Sequence, residues 1–207
     1  LIQKHNFGYI ATLACPPTNE TFTSWNDLPK TSAQLEQWTK FIGVAADYLK
    51  DATHRYELLN EPNLPSFNSD ISRFWGGEYA NLAKASKQEI VKHDAAAEVG
   101  GPCVTGIEVN DSNSYARGWN FYKTAIDSGL TDGTDVITVH SYPNNDGPYE
   151  GNRSTRISDL ARYVEEYKTA SSGRIPEVWH TETGYSAGAM TEKNRGISIQ
   201  SPYIRLL

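Results

Sequence analysis

Short apolar runs alternate with longer amphipathic stretches along the chain, and the pattern repeats at roughly 40 residues. The short runs have the length of buried strands, and the longer stretches place apolar side chains on one face of a helix. In the stretch that begins near Ser32, Leu35, Trp38 and Ile42 share such a face. Strands that alternate with helices predict the α/β class, with successive βα units around a parallel sheet.

The limits of these units follow from the apolar runs and from the Gly, Pro and Asn residues that end them. No low-complexity linker interrupts the 207 residues, so the sequence predicts one domain. That domain is expected to have five strands and to be open at both sequence ends. The predicted strands are 7–13, 56–59, a short strand around Val99 closed by Gly100-Gly101-Pro102, 136–142 and 177–181. The predicted helices are 32–50, 78–93, 116–128, 155–171 and one after Thr191.

Composition narrows the classes of partner. The chain is 38% hydrophobic and 21% charged, and no apolar run approaches the ~20 residues that cross a bilayer, so we expect a soluble globular protein. A net charge of -6 argues against binding to nucleic acid or to an anionic membrane surface. The partner is expected to be a neutral molecule, and the 11% of aromatic residues suits sugars as well as cores.

The sequence predicts no metal and no cofactor. The five histidines form no HExxH or similar ligand spacing, and the two cysteines, Cys15 and Cys103, form no CxxC pair. Those cysteines either form a disulfide or are both buried thiols, and the sequence leaves the two possibilities open.

Glycosylation signals bear on the localisation of the protein. N-glycosylation sequons begin at Asn19, Asn110 and Asn152, which slightly favours an extracellular, secreted protein. The first residues contain neither a starting Met nor a signal-peptide pattern, so the chain is predicted to begin inside a longer protein. Nothing in the sequence indicates an oligomeric state.

Two carboxylates stand out because each follows a predicted strand. Glu61 follows strand 56–59 and Glu182 follows strand 177–181, so the two residues lie three βα units apart. On a closed barrel that separation brings them face to face at the carboxyl ends of the strands. Glycoside hydrolysis uses such a pair, one carboxyl group as the proton donor and one carboxylate at the anomeric carbon.

Three motifs carry a family resemblance. The sequence YELLNEPN from Tyr56 to Asn63 resembles the fourth-strand motif of the clan of (β/α)8 retaining glycoside hydrolases that includes families 5 and 39. VHSY from Val139 to Tyr142 resembles the sixth strand of that clan, and WHTETGY from Trp179 to Tyr185 resembles its seventh strand. The motifs occur in the clan's order with suitable spacing.

The resemblance implies a role for five residues. Glu61 matches the acid/base, and Glu182 matches the nucleophile. Asn60 would bind the sugar 2-hydroxyl, His140 would line the first subsite, and the hydroxyl of Tyr142 would hold the nucleophile. The implied activity is retaining hydrolysis of β-glycosidic bonds through a covalent glycosyl-enzyme, with carbohydrate as the partner.

The same register implies that residues 1–207 are an incomplete catalytic barrel. The five predicted strands would correspond to strands three to seven, and strands one, two and eight would be missing, so the chain alone is expected to be incomplete as an enzyme. The alternative is a catalytically inactive, carbohydrate-binding relative with the same barrel, although both glutamates are present. A chitinase-like mechanism is excluded, because the chain contains no DxxDxDxE string.

Several further residues have two possible roles. Glu57 shares strand parity with Glu61, and we expect it to be a buried carboxylate paired with a base. For His180, substrate contact and structural hydrogen bonding are equally open. Phe67, Trp75 and Tyr149 fall in predicted loops, where they would either stack on sugars or anchor the loop.

Overall fold

The structure, a computed structural model, describes residues 8–107, 117–140 and 157–182. Its five strands are all parallel and follow one another in the sheet in chain order. They are β1 (Ala11–Leu13), β2 (Arg55–Leu58), β3 (Glu98–Thr105), β4 (Val136–His140) and β5 (Val178–Glu182). The α/β class and the parallel sheet predicted from the sequence are therefore confirmed.

The helices lie between successive strands, near the predicted positions. Helix α1 begins after Thr31, whose side-chain oxygen accepts a hydrogen bond from the backbone N–H of Gln34 at 3.2 Å. The helices are α1 (Ser32–Leu49), α2 (Gly76–His93), α3 (Arg117–Asp127) and α4 (Ile157–Ala170). A 3-10 turn, Leu130–Asp132, precedes β4. The helix predicted after Thr191 lies outside the described residues.

The prediction that the third strand is short was wrong. Instead of ending at Gly100-Gly101-Pro102, β3 continues to Thr105. Pairing with β4 shifts between Pro102 and Val104, so Cys103 is an extra residue in a β-bulge and has a left-handed φ of 54°. A bulge accommodates the proline, which has no N–H to donate to the ladder, inside a continuing strand.

The sheet curls into a half-barrel with the helices outside it. The clearest sign is a hydrogen bond between Thr181 on β5 and Glu57 on β2, two strands that a flat sheet would hold far apart. Residues of β4, an inner strand, are all buried, whereas residues of β5, at the edge, are partly exposed. This is the partial (β/α)8 barrel that the sequence predicted.

The core between the sheet and the helices is rich in aromatic residues. Trp38 on α1 donates a 2.8 Å hydrogen bond from Nε1 to Ser86 Oγ on α2. The rings of Tyr122 and Tyr163 lie 4.4 Å apart between α3 and α4, and the Tyr122 hydroxyl donates to the Tyr163 carbonyl. These contacts join neighbouring helices to one another in the layer outside the sheet. Among the described residues, no helix is both long and apolar enough to cross a membrane.

Candidate active site

The loop that carries Glu61 is held at the carboxyl end of the sheet by backbone contacts. Leu59 donates its N–H to the Leu13 carbonyl, and Glu61 donates its N–H to the Cys103 carbonyl at 3.1 Å. Asn63 makes two hydrogen bonds to the backbone of Thr105, the last residue of β3. Because both neighbouring strands hold this loop, the position of Glu61 is fixed by the sheet.

The same loop contains two residues in a conformation that side chains rarely adopt. Leu59 has φ 65° and Glu61 has φ 42°. Left-handed conformations of this kind are unfavourable for a residue with a Cβ and persist only where surrounding contacts enforce them. Here the backbone hydrogen bonds and the buried Asn63 provide those contacts, and the strained turn aims the Glu61 side chain toward β4.

Glu61 and Glu182 meet at His140. The Nδ1 atom of His140 lies 3.0 Å from Glu61 Oε1 and 3.5 Å from Glu182 Oε2, and the three atoms lie within 4.8 Å of one another. His140 is 2% exposed and Glu61 is 7% exposed, whereas the Glu182 side chain is 46% exposed. The pair thus combines one buried carboxyl group with one that faces open space.

The register of the sheet places these side chains together. Thr105, His140 and Glu182 are paired in one row across β3, β4 and β5. A second irregularity occurs in β5, where His180 pairs with Val139 and Glu182 with His140, so that Thr181 is skipped. The two skipped residues, Cys103 and Thr181, both contact buried groups beside the site, as bulges near functional sites often do.

Behind His140 lies a layer that the sequence did not predict. Cys103 is fully buried, and its Sγ lies 3.0 Å from His140 Nε2. Burial raises the pKa of the Cys103 thiol well above its ordinary value, and the neighbouring Glu57 adds to the rise. Cys103 and Cys15 are both free, so the two do not form a disulfide; Cys15 is exposed rather than buried.

Glu57 has the predicted burial, and hydroxyl groups are its hydrogen-bond partners. It is 1% exposed, as predicted for a buried barrel carboxylate. Its oxygens, however, accept hydrogen bonds from Thr12 Oγ1 at 2.9 Å and from Thr181 Oγ1 at 2.5 Å. No Lys, Arg or His forms an ion pair with it among the residues that the structure describes, so the partners seen there are hydroxyls and the base partner stays a prediction. The strands β1 and β5 supply these hydroxyl donors.

Two groups of side chains have the atoms to hold a metal ion. The groups are Glu61, His140 and Glu182, and Glu57, Cys103 and His140; in each, one ligand-type atom per residue lies within 4.8 Å of the others. The hydrogen bonds of His140 to Glu61 and to Cys103 account for much of this proximity without an ion.

The other residues that the sequence analysis singled out lie close to the two glutamates in sequence, in loops, or outside the described residues. Asn60 is half-buried between the two left-handed residues, and His180 is half-buried on β5, where both of its proposed roles stay open. Trp75 packs edge-on against Phe121, and Phe67 packs against Trp25, so both aromatic residues anchor their loops. Tyr142 and Tyr149 lie outside the described residues, and the role of Tyr142 stays a prediction.

Comparison with known proteins gives similarity of fold. No family profile matches the sequence, and no curated protein is similar to it. Among solved structures, a family 39 glycoside hydrolase from the gut symbiont Bacteroides cellulosilyticus WH2 aligns with a TM-score of 0.71 at 17% identity, over 98% of this chain and 41% of its own. A glucosidase from Croceicoccus marinus aligns with a TM-score of 0.61 at 13% identity, over 89% of this chain and 36% of its own.

A monomeric beta-xylosidase from Caulobacter crescentus CB15 gives a TM-score of 0.56 at 18% identity, over 86% of this chain and 38% of its own. The chain therefore spans about two fifths of the length of these structures. At such identities the similarity establishes the fold, a portion of the barrel on which these glycoside hydrolases are built.

Proposed function

We propose that the chain is part of the catalytic barrel of a retaining glycoside hydrolase, with Glu61 as the acid/base and Glu182 as the nucleophile. The observation that carries the proposal is the approach of the two carboxyl groups, whose nearest ligand-type oxygens lie within 4.8 Å at the carboxyl ends of β2 and β5. Carboxyl groups of retaining enzymes lie about 5 to 5.5 Å apart, whereas inverting enzymes need about 6.5 to 9.5 Å to admit a water. The approach of the oxygens brings both carboxyl groups near enough to act on one anomeric carbon, which supports the retaining arrangement.

In the first step, the Glu182 carboxylate attacks the anomeric carbon and forms a covalent ester. Glu61 gives its proton to the glycosidic oxygen, so the bond between that oxygen and the anomeric carbon breaks and the leaving group departs as an alcohol. The greater exposure of Glu182 suits a group that must reach substrate. Glu61 is buried, and its contact with His140 holds the carboxyl group in place.

In the second step, the ionised Glu61 takes a proton from a water molecule while the oxygen of that water attacks the anomeric carbon. The ester bond to Glu182 breaks, and Glu182 is released as a carboxylate. Two inversions at one carbon give net retention. Asn60 would contact the 2-hydroxyl of the sugar, and Tyr142 would donate to Glu182, as the resemblance of their motifs implies. His140 has both ring nitrogens beside protein groups, so its proposed contact with substrate is secondary to its contacts with the two glutamates.

The proposed partner is a neutral carbohydrate, consistent with the charge of -6 and with the absence of a basic sequence run. The proposed location is extracellular, where polysaccharides are available. The test uses the full-length protein that contains this chain, assayed on a panel of aryl β-glycosides and β-glucans. Release of product with retained configuration, followed by NMR, supports the proposal. Binding of oligosaccharide without turnover on any substrate would leave the inactive, carbohydrate-binding alternative.

A further inference from the structure

We propose that Cys103 is a positioning residue for Glu61 and Glu182: its thiol holds His140 in the tautomer that presents Nδ1–H to both carboxyl groups. The inference rests on the proposed function for its kinetic consequence, but the tautomer itself is a property of the folded chain. No motif from the sequence included Cys103, and its neighbours in β3 are Pro102 and Val104.

The surroundings of His140 determine which nitrogen must carry hydrogen. Nδ1 lies 3.0 Å from Glu61 Oε1 and 3.5 Å from Glu182 Oε2. The ionised Glu182 carboxylate can only accept a hydrogen bond, so a lone pair on Nδ1 would repel it, and Glu61 Oε1 is also an acceptor when the proton of Glu61 is on Oε2. A hydrogen on Nδ1 turns both contacts into favourable ones and reduces the repulsion between the two carboxyl groups.

A neutral imidazole with hydrogen on Nδ1 has a lone pair on Nε2, which needs a donor because the ring is buried. Cys103 Sγ, 3.0 Å away, is the atom that meets Nε2. The other acceptor near this thiol is the Glu57 carboxylate, which already accepts hydrogen bonds from the hydroxyls of Thr12 and Thr181, whereas the partner of Nε2 is the Cys103 thiol. The S–H of Cys103 therefore donates to Nε2, and burial keeps that thiol protonated.

The backbone of Cys103 acts on the same target. Its carbonyl accepts the N–H of Glu61 at 3.1 Å. One residue thus orients Glu61 twice, through its carbonyl directly and through its thiol by way of His140. When Nδ1–H donates to Oε1, that oxygen acts as the acceptor, and the catalytic proton of Glu61 is assigned to Oε2.

The first arm of the test reads the tautomer. The full-length protein is labelled with ¹⁵N-histidine, and the His140 signals are assigned with a His140→Gln variant. We expect wild type and Cys103→Ser to show hydrogen on Nδ1, because a serine hydroxyl can also donate to Nε2. Cys103→Ala removes the donor and should move hydrogen to Nε2. An unchanged tautomer in Cys103→Ala, or hydrogen on Nε2 in wild type or Cys103→Ser, overturns the proposal.

The second arm measures turnover of an aryl β-glycoside. Cys103→Ala should lower kcat about tenfold or more with little change in KM, because misplaced catalytic groups cost rate rather than binding. Cys103→Ser should recover most of that loss, and Cys15→Ala, the same loss of a thiol at an exposed position, should leave kcat unchanged. Equal losses in the Ser and Ala variants would indicate a packing role and overturn the proposal. If wild type hydrolyses nothing, the proposed function fails while the tautomer arm still decides the role of Cys103.

Discussion

Thr181 Oγ1 on β5 donates a 2.5 Å hydrogen bond to Glu57 Oε1 on β2, although β3 and β4 lie between their strands. Such a contact requires the sheet to curl until its second and fifth strands face each other. Glu57 also accepts from Thr12 on β1, so three strand ends converge on one buried carboxyl group. The same curl brings Glu182 to Glu61, four residues beyond Glu57, and thereby forms the candidate site.

Glu57→Ala should lower the free energy of unfolding by about 2 to 4 kcal/mol, because it opens a cavity and leaves the Thr12 and Thr181 hydroxyls without their acceptor. Urea denaturation of the full-length protein measures the loss. Glu98→Ala is the matched control, since Glu98 forms a solvent-exposed ion pair with Arg55, and it should change stability by no more than about 0.5 kcal/mol. Equal effects of the two substitutions would contradict the role of Glu57.

Two adjacent glycines at the start of α2 should respond in opposite directions to alanine. A Cβ at Gly76 would lie 2.3 Å from the Phe121 carbonyl oxygen, whereas the nearest atom to one at Gly77 is Ser128 Oγ at 3.4 Å. Gly76→Ala should therefore cost about 1 to 3 kcal/mol by forcing α2 away from α3. Gly77→Ala should be neutral or stabilise by up to about 1 kcal/mol through helix propensity. Thermal and urea unfolding of both variants distinguish the outcomes, and similar destabilisation by both would refute the close packing of α2 on α3.

Asp94 should make stability depend on acid pH. Burial acts to raise its pKa, but hydrogen bonds from His54, Tyr56 and the Ala96 N–H outweigh burial and hold the pKa of Asp94 below its ordinary value of 3.8. A lowered folded-state pKa contributes stability above pH 3.8, and that contribution is lost as the pH falls through the folded-state value.

Asp94→Asn should therefore lose about 1 to 3 kcal/mol at neutral pH, and its difference from wild type should narrow below pH 3.8. Urea unfolding at a series of pH values measures this difference. The exposed Glu165 provides the control, and Glu165→Gln should follow the wild-type profile. A difference that stays constant down to the lowest pH would show that Asp94 contributes through packing instead of charge.

Glu182→Gln should abolish formation of the glycosyl-enzyme, because an amide keeps the shape of the side chain but cannot attack the anomeric carbon. Intact-mass measurement after incubation with a slow 2-fluoro glycoside should show the covalent adduct in wild type and none in the variant. Glu177→Gln, at an exposed glutamate just before β5, should retain the adduct. An adduct that persists in Glu182→Gln would place the nucleophile elsewhere.

Glu61→Ala should slow natural substrates severely while sparing the first step for dinitrophenyl glycosides, whose leaving group needs no proton. Azide should then replace the missing base in the second step and yield a β-glycosyl azide, which NMR identifies. An α-glycosyl azide would indicate inversion instead of retention. Wild type should form no azide adduct under the same conditions, because Glu61 activates water.

Sequence patterns predicted the helices and strands well where the structure depends on interactions between residues close together in the sequence. The apolar face of α1 predicted that helix at residues 32–50, and the structure has it at Ser32–Leu49. The third strand was underestimated because glycine and proline usually end strands, whereas here a bulge at Cys103 carries β3 past them. The hydroxyl partners of Glu57 were not predicted, because Thr12 and Thr181 lie 45 and 124 residues away from it in sequence.

By itself, the sequence determined the alternation of strands and helices and the placement of Glu61 and Glu182 after two of the strands, because periodicity and turn residues act over a few positions. The roles of those glutamates came from motif resemblance. Only the tertiary structure decided that Cys103 and Thr181 turn toward the site, that His140 stands between the two carboxyl groups, and that Glu57 is held by hydroxyls. Those relationships depend on the register and curl of the sheet, which arise from the packing of distant strands and helices and leave no pattern among neighbouring residues.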